Sequence, residues 1–486
     1  DYYASRGLGD VYKRQVLIGA CLIGLCIFGI RGRTGYNPIK VSAAYFCQDA
    51  FLNQLGVSPT FNLLTSVMDD MRPENKYLHL MDEQEAITKA QALLNRPGDA
   101  NVSPLAVYRR AAKADSVQQR RPNVVLIMME SMSAKFMKHF GQSETLTPFL
   151  DSLYTRSISF RNFYSAGIHT NHGLYATLYS FPAMMKRNLM KGSVIPRYSG
   201  LPTVLKENGY YNLFFMTHEG QYDNMNAFFR TNGYDEVFSQ EDYPADKVVN
   251  SFGVQDDFLY DYAIPVLNQR AATGQPFFAT LLSISNHPPY VIPPFFHPKT
   301  SEPETQIVEY ADWALRQFFG EARKQPWFDN TIFVLEGDHG KLVGDAECEL
   351  PESYNHIPLM IYSSRIQPEE KTTFGGQVDI QPTILGLLNI DYLQNNFGVD
   401  LLKEKRPCMF YTADNMVVGR NDTLLYLYNY ETQQELTYDI GNGKLNAVPM
   451  DDSFLPLKEY SFSMLQSAEF LVKHGKTLNS IPFTQQ

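Results

Sequence analysis

The sequence predicts an α/β fold with a mostly parallel central sheet, and three observations carry that prediction. First, five short runs are apolar or rich in β-branched and aromatic residues: NVVLIMM (123–129), YYNLFFMT (210–217), FFATLLSIS (277–285), TIFVLEG (331–337) and IPLMIY (357–362). They show little internal alternation, which suits strands covered on both faces. Second, helical stretches such as LTPFLDSLYTR, GLPTVLKENG and VEYADWALRQFFGEARKQ fall between them, and strands alternating with helices argue for parallel pairing through crossovers. Third, 486 residues with 44% apolar and 13% aromatic content supply one large core or two moderate ones. The chain has no internal repeat and no low-complexity segment.

Taken in order, the chain opens on a stretch set aside from fold reasoning. SRGLGDVYKRQ, Ser5 to Gln15, resembles the translated read-through of a sequencing adapter, so residues 1–15 are treated as a scar. The uncharged run VLIGACLIGLCIFGI that follows is shorter than the roughly 20 residues that span a bilayer. It reads as a spanning helix over residues 16–32, cut at its front. A secretory signal fits less well, because no small-residue cleavage site follows promptly. A buried core helix is the other reading, but an all-round apolar helix abutting Arg31 and Arg33 suits a membrane better. Charge alone does not set its orientation.

Residues 33–118 form a connector. In SAAYFCQDAFLNQLGVSPTFNLLTSVMDDM apolar residues recur at three and four, which predicts one or two amphipathic helices, on a membrane surface or packed on the next domain. EQEAITKAQALLNR (Glu83 to Arg96) predicts a further helix, which RPGDANVSP breaks. RRAAKADSVQQRRPN reads as a charged, polar linker, with a domain boundary near residue 118 and the α/β domain over 119–486. From about Asp414, LLYLYNYETQQELTYDI alternates like a hairpin and predicts a small antiparallel extension.

Charge and cysteines exclude some partners. A net charge of −10 with no long Lys/Arg run argues against a nucleic-acid surface. The five cysteines are too few and scattered for a disulfide framework, and none has a zinc-type CxxC spacing. Cys348 and Cys408 either pair or stay as free thiols.

In a parallel sheet the ligand lies beyond the carboxyl ends of the strands. Glu130 follows the first run, His218 the second, His287 the third, in NHPPY, and Asp338 with His339 the fourth, in EGDHGK. Thr170, in GIHTNHGLYATLYSFP, opens a helix at the same edge. Each alone reads as a loop residue or a cap; their coincidence points to a site. Two carboxylates and an imidazole bind a divalent ion such as Mn²⁺, Mg²⁺ or Zn²⁺, and the absence of a thiolate leaves that choice open. A threonine hydroxyl is a weak nucleophile that metal coordination activates, and a helix N-terminus favours a phosphate or sulfate beside it. Threonine is equally a good N-cap, so Thr170 reads as cap, nucleophile or both.

Together NVVLIMMES, the Thr170 turn, SNHPPY, TIFVLEGDHG, YNHIPLMIY, VDIQPTILGLLNI and FGVDLL resemble, in order and spacing, the extracytoplasmic domain of lipoteichoic-acid-synthase-type phosphoglycerol transferases. The likeness covers about residues 120 to 405. It implies an alkaline phosphatase/sulfatase-like α/β/α sandwich, outside a bacterial cytoplasmic membrane and tethered to it. It further implies one divalent ion, Mn²⁺ first, held by Glu130, Thr170, Asp338 and His339, with Thr170 as nucleophile and His218 and His287 as substrate contacts. The implied partners are a phospholipid donor and a glycan or lipid acceptor.

Departures and rivals follow. Asp223 and Asn224 stand where the synthases carry an aromatic residue after the histidine matching His218, so the head group is open. His169 and His172 flank Thr170 where the synthases carry small polar residues, and read as hydrogen-bonding neighbours or a second metal site. His356 is a substrate contact or packs beside its strand. Sulfatase activity is disfavoured, because Thr170 in HTNHG cannot become the formylglycine that a C/S-x-P-x-R setting allows. A phosphoethanolamine transferase is the rival enzyme, and a binding module on a retired fold the rival outside catalysis.

Overall fold

A computed structural model of the chain describes residues 2–34, 37–47, 49–72, 75–96, 109–111, 121–192 and 195–479. First come α1 (Tyr2–Arg31), α2 (Ala50–Gln54), α3 (Pro59–Asp70), α4 (Glu83–Leu94) and β1 (Arg109–Ala111). The body starts with β2 (Asn123–Met129), α5 (Pro148–Tyr154), β3 (Ile158–Tyr164), α6 (Thr170–Tyr179), α7 (Leu201–Glu207) and β4 (Tyr211–Met216). It continues through α8 (Met225–Thr231), β5 (Glu236–Phe238), α9 (Asp256–Ala271), β6 (Phe277–Leu282), α10 (Pro303–Ala322) and β7 (Thr331–Gly337). Next are β8 (Leu359–Tyr362), β9 (Glu369–Gly376), α11 (Ile380–Leu387) and β10 (Tyr392–Gln394). The chain closes with β11 (Met409–Thr412), β12 (Met416–Arg420), β13 (Leu424–Asn429), β14 (Glu435–Asp439), β15 (Asn446–Ala447) and α12 (Leu455–Lys473).

Eight strands form the central sheet in the order β5-β4-β6-β2-β7-β8-β3-β9. All run parallel except β8, which is antiparallel to both β7 and β3. Strand residues alternate across the pleat. Val125, Ile127 and Met129 of β2 pack with Leu153, Ala263 and Leu315 from α5, α9 and α10. Val124, Leu126 and Met128 point the other way and pack with Leu174, Leu205 and Ile384 from α6, α7 and α11. Both halves of the strand are therefore buried, which is why NVVLIMM shows no hydrophobic alternation. Each such side chain contributes about 1.5–3 kcal/mol by leaving water.

Some sequence expectations need correction. IPLMIY forms a strand over Leu359–Tyr362 only, and it opposes its neighbours. Strands β3 and β9 were not expected from the sequence: ISFRNFY and EEKTTFGG carry polar and charged residues at exposed and half-exposed positions near the sheet edge. Part of the expected linker is ordered as β1, which pairs antiparallel with β10. The RPGDANVSP break beyond Arg96, residues 112–120 of the linker and the boundary near 118 lie outside the described residues. The five cysteines are free, and the Cys348 thiol donates to the Leu350 carbonyl at 3.1 Å instead of meeting Cys408.

The C-terminal extension is a five-stranded antiparallel sheet, β11 to β15 in order, backed by α12, which the sequence reading did not predict. In the connector, α4 buries Ala86, Ile87, Ala90 and Leu94 against the body, where it packs on α12. Ahead of it, Val11–Arg31 of α1 is long and apolar enough to cross a membrane, and its side chains are exposed.

Candidate active site

Glu130 and Asp338 follow two hydrogen-bonded neighbours, β2 and β7, so their carboxylates emerge side by side at one sheet edge. Both are fully buried. Ligand atoms of Glu130, Asp338 and His339 lie within 4.8 Å of one another, and among the described residues no other group of this kind occurs. The His339 Nδ1–H donates to the Gly340 carbonyl at 2.7 Å, which turns Nε2 inward, 3.7 Å from Asp338 Oδ2 and 3.9 Å from Glu130 Oε1. Asp338 Oδ1 accepts the backbone N–H groups of Ser131 (2.8 Å) and His339 (2.7 Å). Its Oδ2 is buried with no hydrogen-bond partner among the described residues. Burial and then the Asp338 charge push the Glu130 carboxyl well above the usual range. Two buried carboxylates with an orphaned oxygen and a pre-turned imidazole fit a divalent cation, which would satisfy all three at once.

Thr170 is the first residue of α6, and its Oγ1 donates to Glu130 Oε2 at 3.4 Å. The expectation that Thr170 caps the helix is corrected: His169 holds the cap position, and no side chain there bonds the helix backbone. The threonine hydroxyl is thus aimed at the carboxylates. The first N–H groups of any helix lack an intrahelical acceptor, so α6 opens toward the same space with partial positive charge.

Gly173 brings α6 so close. A Cβ at this position would lie 2.3 Å from the Asp338 carbonyl oxygen and 2.9 Å from Gln377 Nε2. Gln377 closes the arrangement: Nε2 donates to the Gly337 and Asp338 carbonyls at 3.1 and 2.7 Å, and Oε1 accepts the Ala166 N–H at 2.9 Å. Gly173→Ala must push α6 or the end of β7 aside. We expect it to cut turnover by about 10²-fold with Thr170 intact, since a misplacement near 1 Å has that effect, and to cost roughly 1–3 kcal/mol by overpacking. Steady-state kinetics beside thermal unfolding checks both.

The cleft over this site has a volume of about 620 Å³. His287 lines it, its ring packed 4.0 Å from that of Phe252 and its basicity lowered by burial. His218 does not line it: the ring is buried behind Tyr222, 4.6 Å away, and burial lowers its pKa to about 4. His169 lies on the rim, its Nε2 2.6 Å from Asp414 Oδ1 in the turn between β11 and β12. His172 is fully buried, both ring nitrogens lacking partners among the described residues, and burial drives its pKa to about 3. The two rings meet edge to face at 5.0 Å and form no second cluster of three metal-ligating groups among the described residues. Of the two readings of His356 the packing one fits the structure: it stacks on Tyr164, and its Nε2 bonds the Arg161 carbonyl at 2.8 Å, away from the cleft.

Several cleft residues escaped sequence reasoning. Lys341 donates to Asn286 Oδ1 at 2.6 Å and lies over the Tyr290 ring, and burial lowers its pKa to about 8. Its signal was present, two residues beyond His339 in EGDHGK, but a lone lysine after a turn usually faces water. Asn286 in turn donates to the Glu130 and Ser131 carbonyls, both at 3.1 Å, which ties the SNHPPY loop to β2. Asp223 lines the cleft, held by Lys191 at 2.8 Å and by Asn171 at 3.3 Å.

This fold belongs to a known class. Residues 122–390 match the sulfatase family model, more than half of the chain, and the chain belongs to that family. The fold is that of the alkaline phosphatase superfamily: a Vibrio parahaemolyticus protein of that superfamily superposes with a TM-score of 0.74 at 26% identity, covering 82% of this chain and 98% of the other.

Within the class, the chain is similar to lipoteichoic acid synthases. It is 24% identical to lipoteichoic acid synthase 2 of Bacillus subtilis over 58% of this chain and 47% of that protein. It is 25% identical to lipoteichoic acid synthase 1 of the same organism over 66% and 53%. The crystal structure of a lipoteichoic acid synthase from Listeria monocytogenes shares the fold, with a TM-score of 0.64 at 21% identity over 73% of this chain and 93% of the other. The chain spans about half the length of the curated relatives it matches.

Proposed function

We propose that the chain is a membrane-anchored transferase that moves a phosphoglycerol-type head group from a phospholipid to an acceptor hydroxyl through a phospho-threonine intermediate. Residues 16–32 are the anchor in a bacterial cytoplasmic membrane, 33–118 the connector and 119–486 the extracytoplasmic catalytic domain. The observation that carries the reading is the Thr170 hydroxyl at the head of α6, aimed at Glu130 beside Asp338 and His339. Similarity to lipoteichoic acid synthases supports the choice of reaction.

Glu130, Thr170, Asp338 and His339 would hold the divalent ion, Mn²⁺ first, with Mg²⁺ or Zn²⁺ as alternatives. When bound, such an ion neutralises phosphoryl oxygens and makes a hydroxyl a better nucleophile. In the first half-reaction the Thr170 oxygen bonds phosphorus as the bond from phosphorus to the diacylglycerol oxygen breaks, and the threonine proton leaves with diacylglycerol. In the second, the acceptor oxygen takes the phosphorus, and its proton returns to Thr170. Lys341 and the first N–H groups of α6 offer fixed positive charge to the migrating group without reorganisation. His287 contacts the head group from the cleft wall, and His218 supports that wall through Tyr222. The acceptor is a glycan or lipid hydroxyl.

A second reading has one observation in its favour. Asp223 brings a carboxylate into the cleft wall, which suits the ammonium group of phosphoethanolamine. Formylglycine-type sulfate hydrolysis finds no support, because Thr170 occupies the nucleophile position.

Intact-protein mass spectrometry of the chain with Mn²⁺ and mixed phosphatidylglycerol and phosphatidylethanolamine separates these readings. We expect an adduct of glycerophosphoryl mass, absent from Thr170→Ala, with turnover in that variant reduced at least about 10³-fold. A phosphoethanolamine mass selects the rival. Metal binding without any adduct overturns the covalent route.

A further inference from the structure

The connector helix α3 is inverted relative to an ordinary surface helix. Phe61, Leu63, Leu64, Val67 and Met68 are exposed, whereas Asn62, Thr65, Ser66 and Asp69 are half-buried toward the protein. Met71, just beyond the helix, is 77% exposed, and Leu52, Leu55 and Phe46 extend the apolar face through α2. Scattered exposed leucines are ordinary, but a contiguous apolar face with its polar residues turned inward marks an interaction surface.

Three further observations identify what covers it. The candidate span ends at Arg31, 15 residues before Phe46, so one short stretch of chain joins the end of the span to this segment. Described residues of the intervening chain are docked on the body. Arg33 pairs with Glu219, Asn37 donates to the same carboxylate at 3.0 Å, and the Lys40 N–H donates to Gln221 at 3.1 Å. These contacts fasten the end of the span to the loop that carries His218. Finally, a groove of about 390 Å³ beneath α3 is lined by Ser66, Asp69, Arg72, Lys186 and Lys191. Lys191 is the residue that pairs with Asp223 in the cleft wall, so the groove and the candidate active site are neighbours across this ion pair. Apolar side chains outward with basic residues behind them match acyl chains and anionic head groups.

We propose that the outward face of α2 and α3 lies on the bilayer surface, its apolar side chains at the acyl boundary, so that the basic groove and the cleft beyond it open at the level of the lipid head groups. The donor lipid then reaches Thr170 by moving sideways along the membrane, with its acyl chains remaining in the bilayer.

Tryptophan quenching tests the surface independently of any enzymatic activity. The chain has two tryptophans, which set the background. In vesicles of phosphatidylcholine and phosphatidylglycerol with brominated acyl chains, the added emission of Leu64→Trp is expected to fall at least twofold, and that of Thr273→Trp, at the opposite end of the sheet, to stay unchanged. Unquenched Leu64→Trp emission with α1 inserted overturns the proposal, as does a blue shift without vesicles that grows with protein concentration, the mark of a second copy on this face.

A double variant, Leu64→Glu with Met68→Glu, tests delivery. It is expected to keep its melting temperature, lose at least fivefold in turnover of vesicle phosphatidylglycerol, and retain turnover of soluble bis-p-nitrophenyl phosphate within twofold. Equal effects on both substrates overturn the delivery role. A wild-type chain inert toward every phospholipid defeats the proposed transferase reaction, and quenching still decides the surface.

Discussion

Glu130→Gln is expected to cut turnover about 10³-fold while making the metal-free protein more stable. Burial and the neighbouring Asp338 disfavour charge on this carboxylate, so a neutral isostere relieves repulsion in the empty site by roughly 1–3 kcal/mol. The same change removes one ligand atom from the trio within 4.8 Å. A metal Lewis acid supplies several kcal/mol of transition-state stabilisation, or about 10³-fold in rate, and that is the expected loss. Thermal unfolding with and without Mn²⁺ checks the pair of effects. Ion at a hundred times its dissociation constant stabilises the wild type by about 2.7 kcal/mol, whereas the variant starts higher and gains nothing. A variant destabilised without metal, or still stabilised by it, would show that Glu130 is not a ligand.

The second large effect lies away from the cleft. Arg406 and Asp379 are both fully buried, and their side chains pair through several hydrogen bonds. Arg406 also donates to the Phe397 carbonyl and the Tyr460 hydroxyl, each at 2.6 Å, while Asp379 accepts the Gly376 and Val399 N–H groups at 2.9 and 2.8 Å. One pair thus joins the end of β9, the FGVDLL turn and α12. Arg406→Met strands a buried carboxylate, and we expect a loss of about 3–5 kcal/mol, or roughly 10 °C in melting temperature. Adding Asp379→Asn removes the stranded charge, so the double variant is expected to recover at least about 1 kcal/mol relative to Arg406→Met alone. Additive losses in chemical denaturation would contradict this account.

Much of the site was legible because the sheet is buried on both faces. Uninterrupted apolar runs gave the strands away, and the first polar residues after them, Glu130, Asp338 and His339, mark their carboxyl ends. Thr170 was legible as a helix opening but not as a residue one place inside the cap, because the assignment depends on backbone geometry at His169. The edge strand β9 and its neighbour β3 were hidden by their polar residues. The contact between His169 and Asp414 spans 245 residues and crosses from the main sheet to the C-terminal extension, so no local pattern encodes it. Asp379 lies in VDIQPTILGLLNI, one of the stretches that carry the family resemblance, and only its distant partners show it to be a structural anchor.

The ligands of the candidate metal site are also far apart along the chain. Ser131, next to Glu130, meets Asp338 across 207 residues, and that meeting requires β2 and β7 to be paired in register. Contacts of such sequence separation are slow to form, because loop closure is charged before any burial rewards it. A cation that needs both carboxylates can therefore bind only a chain whose central topology is complete. It would select correctly folded molecules and slow their unfolding afterwards, so that the group serving the chemistry also guards the lifetime of the fold.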